Sequence, residues 1–69
     1  MKQDEIEIVI SILSDIGYTT KHIQNYSLES YNIYRNNKLV ACEQNINDFV
    51  NVACIIMEKF ADGEIINYI

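Results

Sequence analysis

Sixty-nine residues and 8.0 kDa leave room for one small domain and no more. Apolar residues make up 49% of the chain, and Asp+Glu 10 against Lys+Arg 5 gives a net charge of -5. No Pro and only two Gly exclude a disordered linker, and the acidic balance argues against gripping nucleic-acid phosphates, which takes clustered Lys and Arg. The longest apolar run, residues 52–57, is too short to cross a bilayer. No basic region followed by a long apolar stretch opens the sequence, so a cytoplasmic location is expected. Two cysteines do not make a disulfide framework, and Cys42 and Cys54 are expected as free thiols. Thirteen isoleucines and eight asparagines point to an AT-rich genome, such as that of a low-GC bacterium or its phage.

The spacing predicts a first helix over residues 4–16. Ile6, Val9, Ile10, Leu13 and Ile16 fall in one stripe of the helical wheel, while Asp4, Glu7, Ser11, Ser14 and Asp15 gather opposite. A strand reading, with Ile6, Ile8, Ile10 and Ile12 alternating, fails because Val9 and Leu13 would sit among Glu5, Glu7 and Ser11. Acidic residues at positions 4, 5 and 7 suit the positive end of a helix dipole. Gly17 supplies the C-terminal cap.

The middle of the chain reads as sheet. Residues 18–24 form a first strand, followed by a turn at Asn25-Tyr26-Ser27. Residues 29–44 split at Asn36-Asn37, a pair that tolerates the positive φ of a tight hairpin. A two-residue loop there pairs Arg35 with Lys38, Tyr34 with Leu39, Ile33 with Val40 and Tyr31 with Cys42. That register sets Tyr31, Ile33, Val40 and Cys42 on an inward face, and Ser30, Asn32, Tyr34, Leu39, Ala41 and Glu43 on the other.

Asn45 caps a last helix, with Asp48 three residues on. Ile46, Phe49, Val50, Ala53, Met57 and Phe60 make its apolar stripe, and Asp62-Gly63 ends it. Ile55 falls opposite that stripe and Val52 on its flank. The tail, residues 64–69, is too apolar to hang free and is expected to pack on the domain or on a partner. The elements make one α+β domain over residues 1–69, a two-layer α-β-β-β-α sandwich with a three-stranded antiparallel sheet.

That order is similar to the double-stranded-RNA-binding domain, whose second helix opens with phosphate-binding lysines. Here the matching stretch is Gln44-Asn45-Ile46-Asn47-Asp48, without a lysine and with a carboxylate, so direct nucleic-acid binding is not expected. His22, Cys42 and Cys54 stand at no metal-ligand spacing. Cys42 reads as a core residue, Cys54 as a helix-flank filler and His22 as a solvated or edge residue. Nucleophile-elbow, P-loop and dinucleotide motifs need glycines that are missing. Neither catalysis nor a metal or other cofactor is expected.

Charge and surplus apolar residues point to protein interaction instead. Glu29 before the second hairpin, and Glu43 and Asp48 after it, are candidate partner-binding carboxylates for a basic groove. Tyr34, Leu39 and Ile55 are candidate apolar contacts, and Ile8, Ile12 and Val52 also fall outside the best core stripes. Residues 10–19, the hairpin around Tyr34-Arg35-Asn36-Asn37, and residues 49–60 together resemble, in pattern, small acidic phage-encoded anti-CRISPR inhibitors of type II nucleases. The resemblance spans residues 5–63. It implies a non-catalytic inhibitor that imitates the charge of DNA, with loop carboxylates such as Glu29, Glu43 and Asp48 presented to a nuclease cleft in the host cytoplasm. The alternative is a small homo-oligomeric regulatory or immunity protein that uses its apolar surface on itself.

Overall fold

In a computed structural model, which describes residues 3–68, the chain runs α1 (Gln3–Asp15), β1 (Thr19–Asn25), β2 (Leu28–Arg35), β3 (Lys38–Glu43) and α2 (Ile46–Ala61). The order is the expected α-β-β-β-α. Both glycines end a helix in the same way. At Gly17, with φ +97°, the Tyr18 N–H donates to the Leu13 carbonyl at 2.8 Å and the Gly17 N–H to the Ser14 carbonyl at 3.1 Å. At Gly63, with φ +85°, the Glu64 N–H donates to the Lys59 carbonyl at 2.8 Å and the Gly63 N–H to the Phe60 carbonyl at 3.0 Å. These paired bonds satisfy carbonyls that a helix end leaves free, and the left-handed residue that makes them possible favours Gly.

The cap at Gly17 does more than stop α1. It turns the buried Tyr18 down beside the buried Leu13, so helix end and first strand enter one core. The Tyr18 hydroxyl then donates to the Ile66 carbonyl at 2.8 Å and accepts from the Ile66 N–H at 3.1 Å, which ties the C-terminal tail to the core as expected. Ile69 lies outside the described residues. Arg35 packs its guanidinium 5.3 Å from the Tyr18 ring centroid, with Nη1 3.5 Å from the Ile16 carbonyl. A cation there complements the negative end of α1.

The sheet order is β1-β2-β3, antiparallel throughout. Asn36 and Asn37, at φ 53° and 65°, form the expected two-residue turn. The other hairpin, first in chain order, turns at Tyr26-Ser27, with Tyr26 at φ 52° and Asn25 paired with Leu28. Both helices lie on the face that carries Tyr31, Ile33 and Val40, α1 against β1 and α2 against β3.

The register of β3 departs from the expected one. Arg35 pairs with Lys38 and Tyr34 with Leu39, but Ile33 then pairs with Ala41 and Asn32 with Cys42. Val40 is the extra residue of a β-bulge, so Val40 and Ala41 are both buried. Every residue after the bulge changes face: Cys42 points away from the core and is exposed, whereas Ala41 joins it. α2 is also rotated relative to the expected stripe. Its buried line is Phe49, Val52, Ala53 and Ile56. Val52 therefore belongs to the core, Phe60 is 41% exposed in the last turn of α2, and Ile55 stays outside at 45%.

No helix of the described chain is long and apolar enough to cross a membrane. Cys42 and Cys54 are both free and exposed.

Two substitution pairs test this account. A Cβ at Gly17 would approach Arg35 Nη1 to 2.7 Å, whereas one at Gly63 would meet nothing within 4 Å. Both positions have positive φ, which costs an L-residue about 1–2 kcal/mol. At Gly17 the flexible Arg35 head must also move off the Ile16 carbonyl and the Tyr18 ring, so Gly17→Ala is expected to destabilise the domain slightly more than Gly63→Ala in denaturant unfolding. On α2, Val52→Lys is expected to abolish cooperative folding, because it puts an unpaired charge in the core. Ile55→Lys is expected to shift stability by no more than about 0.5 kcal/mol. Thermal melts of the two variants check the rotation of the helix.

Candidate interaction surfaces

Tyr31, in the middle of the central strand, organises the inner face. Its ring stacks on Phe49 of α2 with centroids 5.0 Å apart, and on its other side on His22 of β1 at 4.3 Å and 10°. The buried ring needs a partner for its hydroxyl, which donates to Glu29 Oε1. The same oxygen lies 3.0 Å from His22 Nε2. One carboxylate oxygen thus joins an edge-strand imidazole to a core phenol. The Tyr31 hydrogen bond is the main cause holding the Glu29 carboxyl below its usual range, and His22 adds to it against the opposing effect of burial. Burial, reinforced by Glu29, pushes the Tyr31 phenol up to about 12.

The three carboxylates expected in loops do not sit in loops. Glu29 is the second residue of β2 and is engaged with Tyr31 and His22. Glu43 ends β3, half-buried and paired with Tyr31. Asp48 lies in the first turn of α2, where its N–H donates to Asn45 Oδ1 and Asn45 Nδ2 donates to Asp48 Oδ2, both at 2.8 Å. Glu29 is thus bonded within the sheet and Glu43 is half-buried, whereas Asp48 closes the α2 cap and stays exposed. The exposed acidic charge lies on and beside the helices: Asp4, Glu5, Glu7 and Asp15 on α1, Asp48 and Glu58 on α2, and Asp62 and Glu64 just past it. Against these the described residues of the helical layer set only Lys59, which is 3.6 Å from Glu64. The sheet carries Lys21, Arg35 and Lys38 against the half-buried Glu29 and Glu43. The net negative charge of the described chain is therefore concentrated in the helices and their C-terminal flank.

The outer sheet face is different. Among the described residues no element is laid on it, and alternation places no carboxylate there. Tyr34 and Leu39 pair at one end as expected, and Ile23 and Leu28 stand at the other, Leu28 at 72% exposure. Between them Ser30 Oγ donates to Asn32 Oδ1 at 2.5 Å, Asn32 Nδ2 approaches the Tyr34 hydroxyl at 3.4 Å, and Cys42 Sγ lies 3.3 Å from Ser30 Oγ. Lys21 Nζ sits 5.6 Å from the centroid of the Tyr34 ring.

A shallow depression of about 470 Å³ opens at the first hairpin, walled by Ile23, Leu28, Ser30 and Gln44 among others. Glu29 is the one titratable side chain along it. The hairpin tip adds the fully exposed Tyr26. Ile23, Tyr26 and Leu28 escaped sequence reasoning, which took this stretch for a turn and a strand end. The alternation of Lys21, Ile23 and Asn25 against His22 and Gln24 was the available signal. Ile55 belongs to the helical layer, so the six expected contact residues do not form one patch.

Among the described residues no three His, Cys, Asp or Glu side chains come together in a metal-binding group. No family model, curated protein or solved structure matches the chain.

The network predicts a pH response of known sign. Tyr31 is held protonated by the fold, so its stabilising contribution is complete below pH 10 and is lost as pH rises toward about 12. Glu29 works oppositely: its contribution is present above its ordinary range near 4.5 and is lost as pH falls through the lowered value. Tyr31→Phe is expected to remove the alkaline loss and to raise the Glu29 pKa. Tyrosinate absorbance and a carboxyl NMR titration of Glu29 measure the two effects.

Proposed function

We propose that this chain is a non-catalytic, acidic protein-interaction module that binds a basic, nucleic-acid-handling protein through its helical layer and acts as an inhibitor. The reading accords with the resemblance to small phage-encoded anti-CRISPR proteins. The segregation of charge carries it: exposed carboxylates collect on the two helices while the outer sheet face has none. A surface of this kind attracts a basic groove over distances comparable to the Debye length, about 10 Å at 0.1 M salt. The hairpin depression supports the non-catalytic part, because its one titratable side chain is already bonded within the protein. Charge on exposed helix positions can be changed without disturbing the core, which separates binding from folding.

The test measures association with a purified type II CRISPR nuclease, the target class of the proteins it resembles. Raising salt is expected to slow association far more than it speeds dissociation. Neutralising Glu7, Asp15 and Glu58 together, as Gln or Asn, is expected to lower the on-rate several-fold while the melting temperature stays nearly unchanged. Failure to bind the nuclease overturns the assigned target class. Binding whose on-rate ignores salt and these substitutions overturns the role of the helical layer.

A further inference from the structure

The two edges of the sheet are not equivalent. β3 is the shorter and carries the Val40–Ala41 bulge, which interrupts regular pairing and discourages a further strand. β1 is a regular seven-residue strand without Pro or bulge. Its side chains leave the edge open. Lys21, the residue type that commonly guards such an edge, turns inward over the Tyr34 ring of β2. His22 likewise turns inward, flat on Tyr31 and bonded to Glu29.

Hydrogen-bond accounting identifies the free groups. In a hairpin with a two-residue loop the flanking residues form a hydrogen-bonded pair, here Asn25 with Leu28. Alternation then commits the backbone of Ile23, Lys21 and Thr19 to β2 and leaves the N–H and C=O groups of Thr20, His22 and Gln24 directed off the sheet. These groups lie symmetrically about His22, the centre of the strand.

We propose that β1 pairs with β1 of a second copy, antiparallel about a two-fold axis at His22, to make a continuous six-stranded sheet. In this register His22 exchanges both backbone bonds with its counterpart, and Thr20 and Gln24 exchange theirs with Gln24 and Thr20 of the other copy. The second copy fits this edge because the free groups of the strand are self-complementary in hydrogen bonding and the register sets no lysine directly against its counterpart. β1 has no carboxylate, and the two-fold register sets Lys21 opposite Ile23 of the other copy rather than opposite its lysine. Ile23 of each copy then stands diagonally across from the other, extending the Ile23–Leu28 patch across the joint. α2 lies over β3, away from the joint, whereas α1 lies against β1 beside it. Binding of the basic partner is measured on the monomer, so dimerisation and the proposed function stand or fall separately.

The experiment follows the mass of the full chain by light scattering and sedimentation over a concentration series, with amide hydrogen exchange at each end of the series. The wild type is expected to shift from monomer to dimer with concentration, and the amides of Thr20, His22 and Gln24 to gain protection together. Gln24→Pro removes one edge-directed N–H and no bond to β2. It is expected to stay monomeric with its circular dichroism unchanged. A wild type that is monomeric throughout the series overturns the proposal, and so does a dimer in which those three amides remain unprotected. The exchange arm decides the matter even if the proline variant fails to fold.

Discussion

The stacking of Tyr31 on Phe49 is the contact on which the rest of this small protein depends. It joins the central strand to α2, and both side chains are almost completely withdrawn from solvent. Aromatic pairs of this kind contribute about 0.5–1.5 kcal/mol beyond the area they bury, which matters in a domain too small to waste apolar surface. The polar end of Tyr31 has consequences of its own. A buried phenol needs an acceptor, and Glu29 supplies it from the same strand face. Glu29 in turn holds His22, whose ring lies flat on Tyr31. A residue set for packing thus determines what an acidic and a basic side chain do at the edge of the sheet.

The Val40–Ala41 bulge is the second constraint. With a regular ladder, Cys42 would point beneath α2 and Ala41 to the outside. The extra residue lets two consecutive apolar side chains enter the core and turns the strand beyond it over. Cys42 then faces outward beside Ser30, and Asn32 opposite it keeps the middle of the outer face polar. Apolar contacts remain at the two ends of that face, Tyr34 with Leu39 and Ile23 with Leu28. The same bulge makes β3 a poor template for strand addition and leaves β1 as the open edge.

Charge and strand pairing divide the surface between them. Helices in a two-layer sandwich have one buried stripe and a wide solvated side, and here that side holds nearly all the exposed acid. The sheet contributes a face and an edge with almost no acid. A basic partner on the helices and a second copy on the edge would therefore occupy separate parts of the molecule.

Element order and helix ends were legible from the sequence alone. Those signals are local: two glycines at helix ends, an Asn cap with Asp48 in the first turn, and an Asn-Asn pair whose residues accept positive φ. The α1 stripe was legible for the same reason, since Ile6 and Leu13 stand about two helical turns apart. Tertiary structure decided the rest. The bulge at Val40 has no local sequence mark, and it leaves both Val40 and Ala41 buried on the strand that α2 packs against. The rotation of α2 that buries Val52 and Ile56 and leaves Phe60 exposed depends on how the helix seats on β3 and the rest of the core, which no helical wheel contains. Glu29, Glu43 and Asp48 could be recognised as carboxylates between apolar runs. Only the folded chain determined that Glu29 meets Tyr31 and His22 and that Asp48 closes a cap, because those partners come together through strand pairing and helix termination.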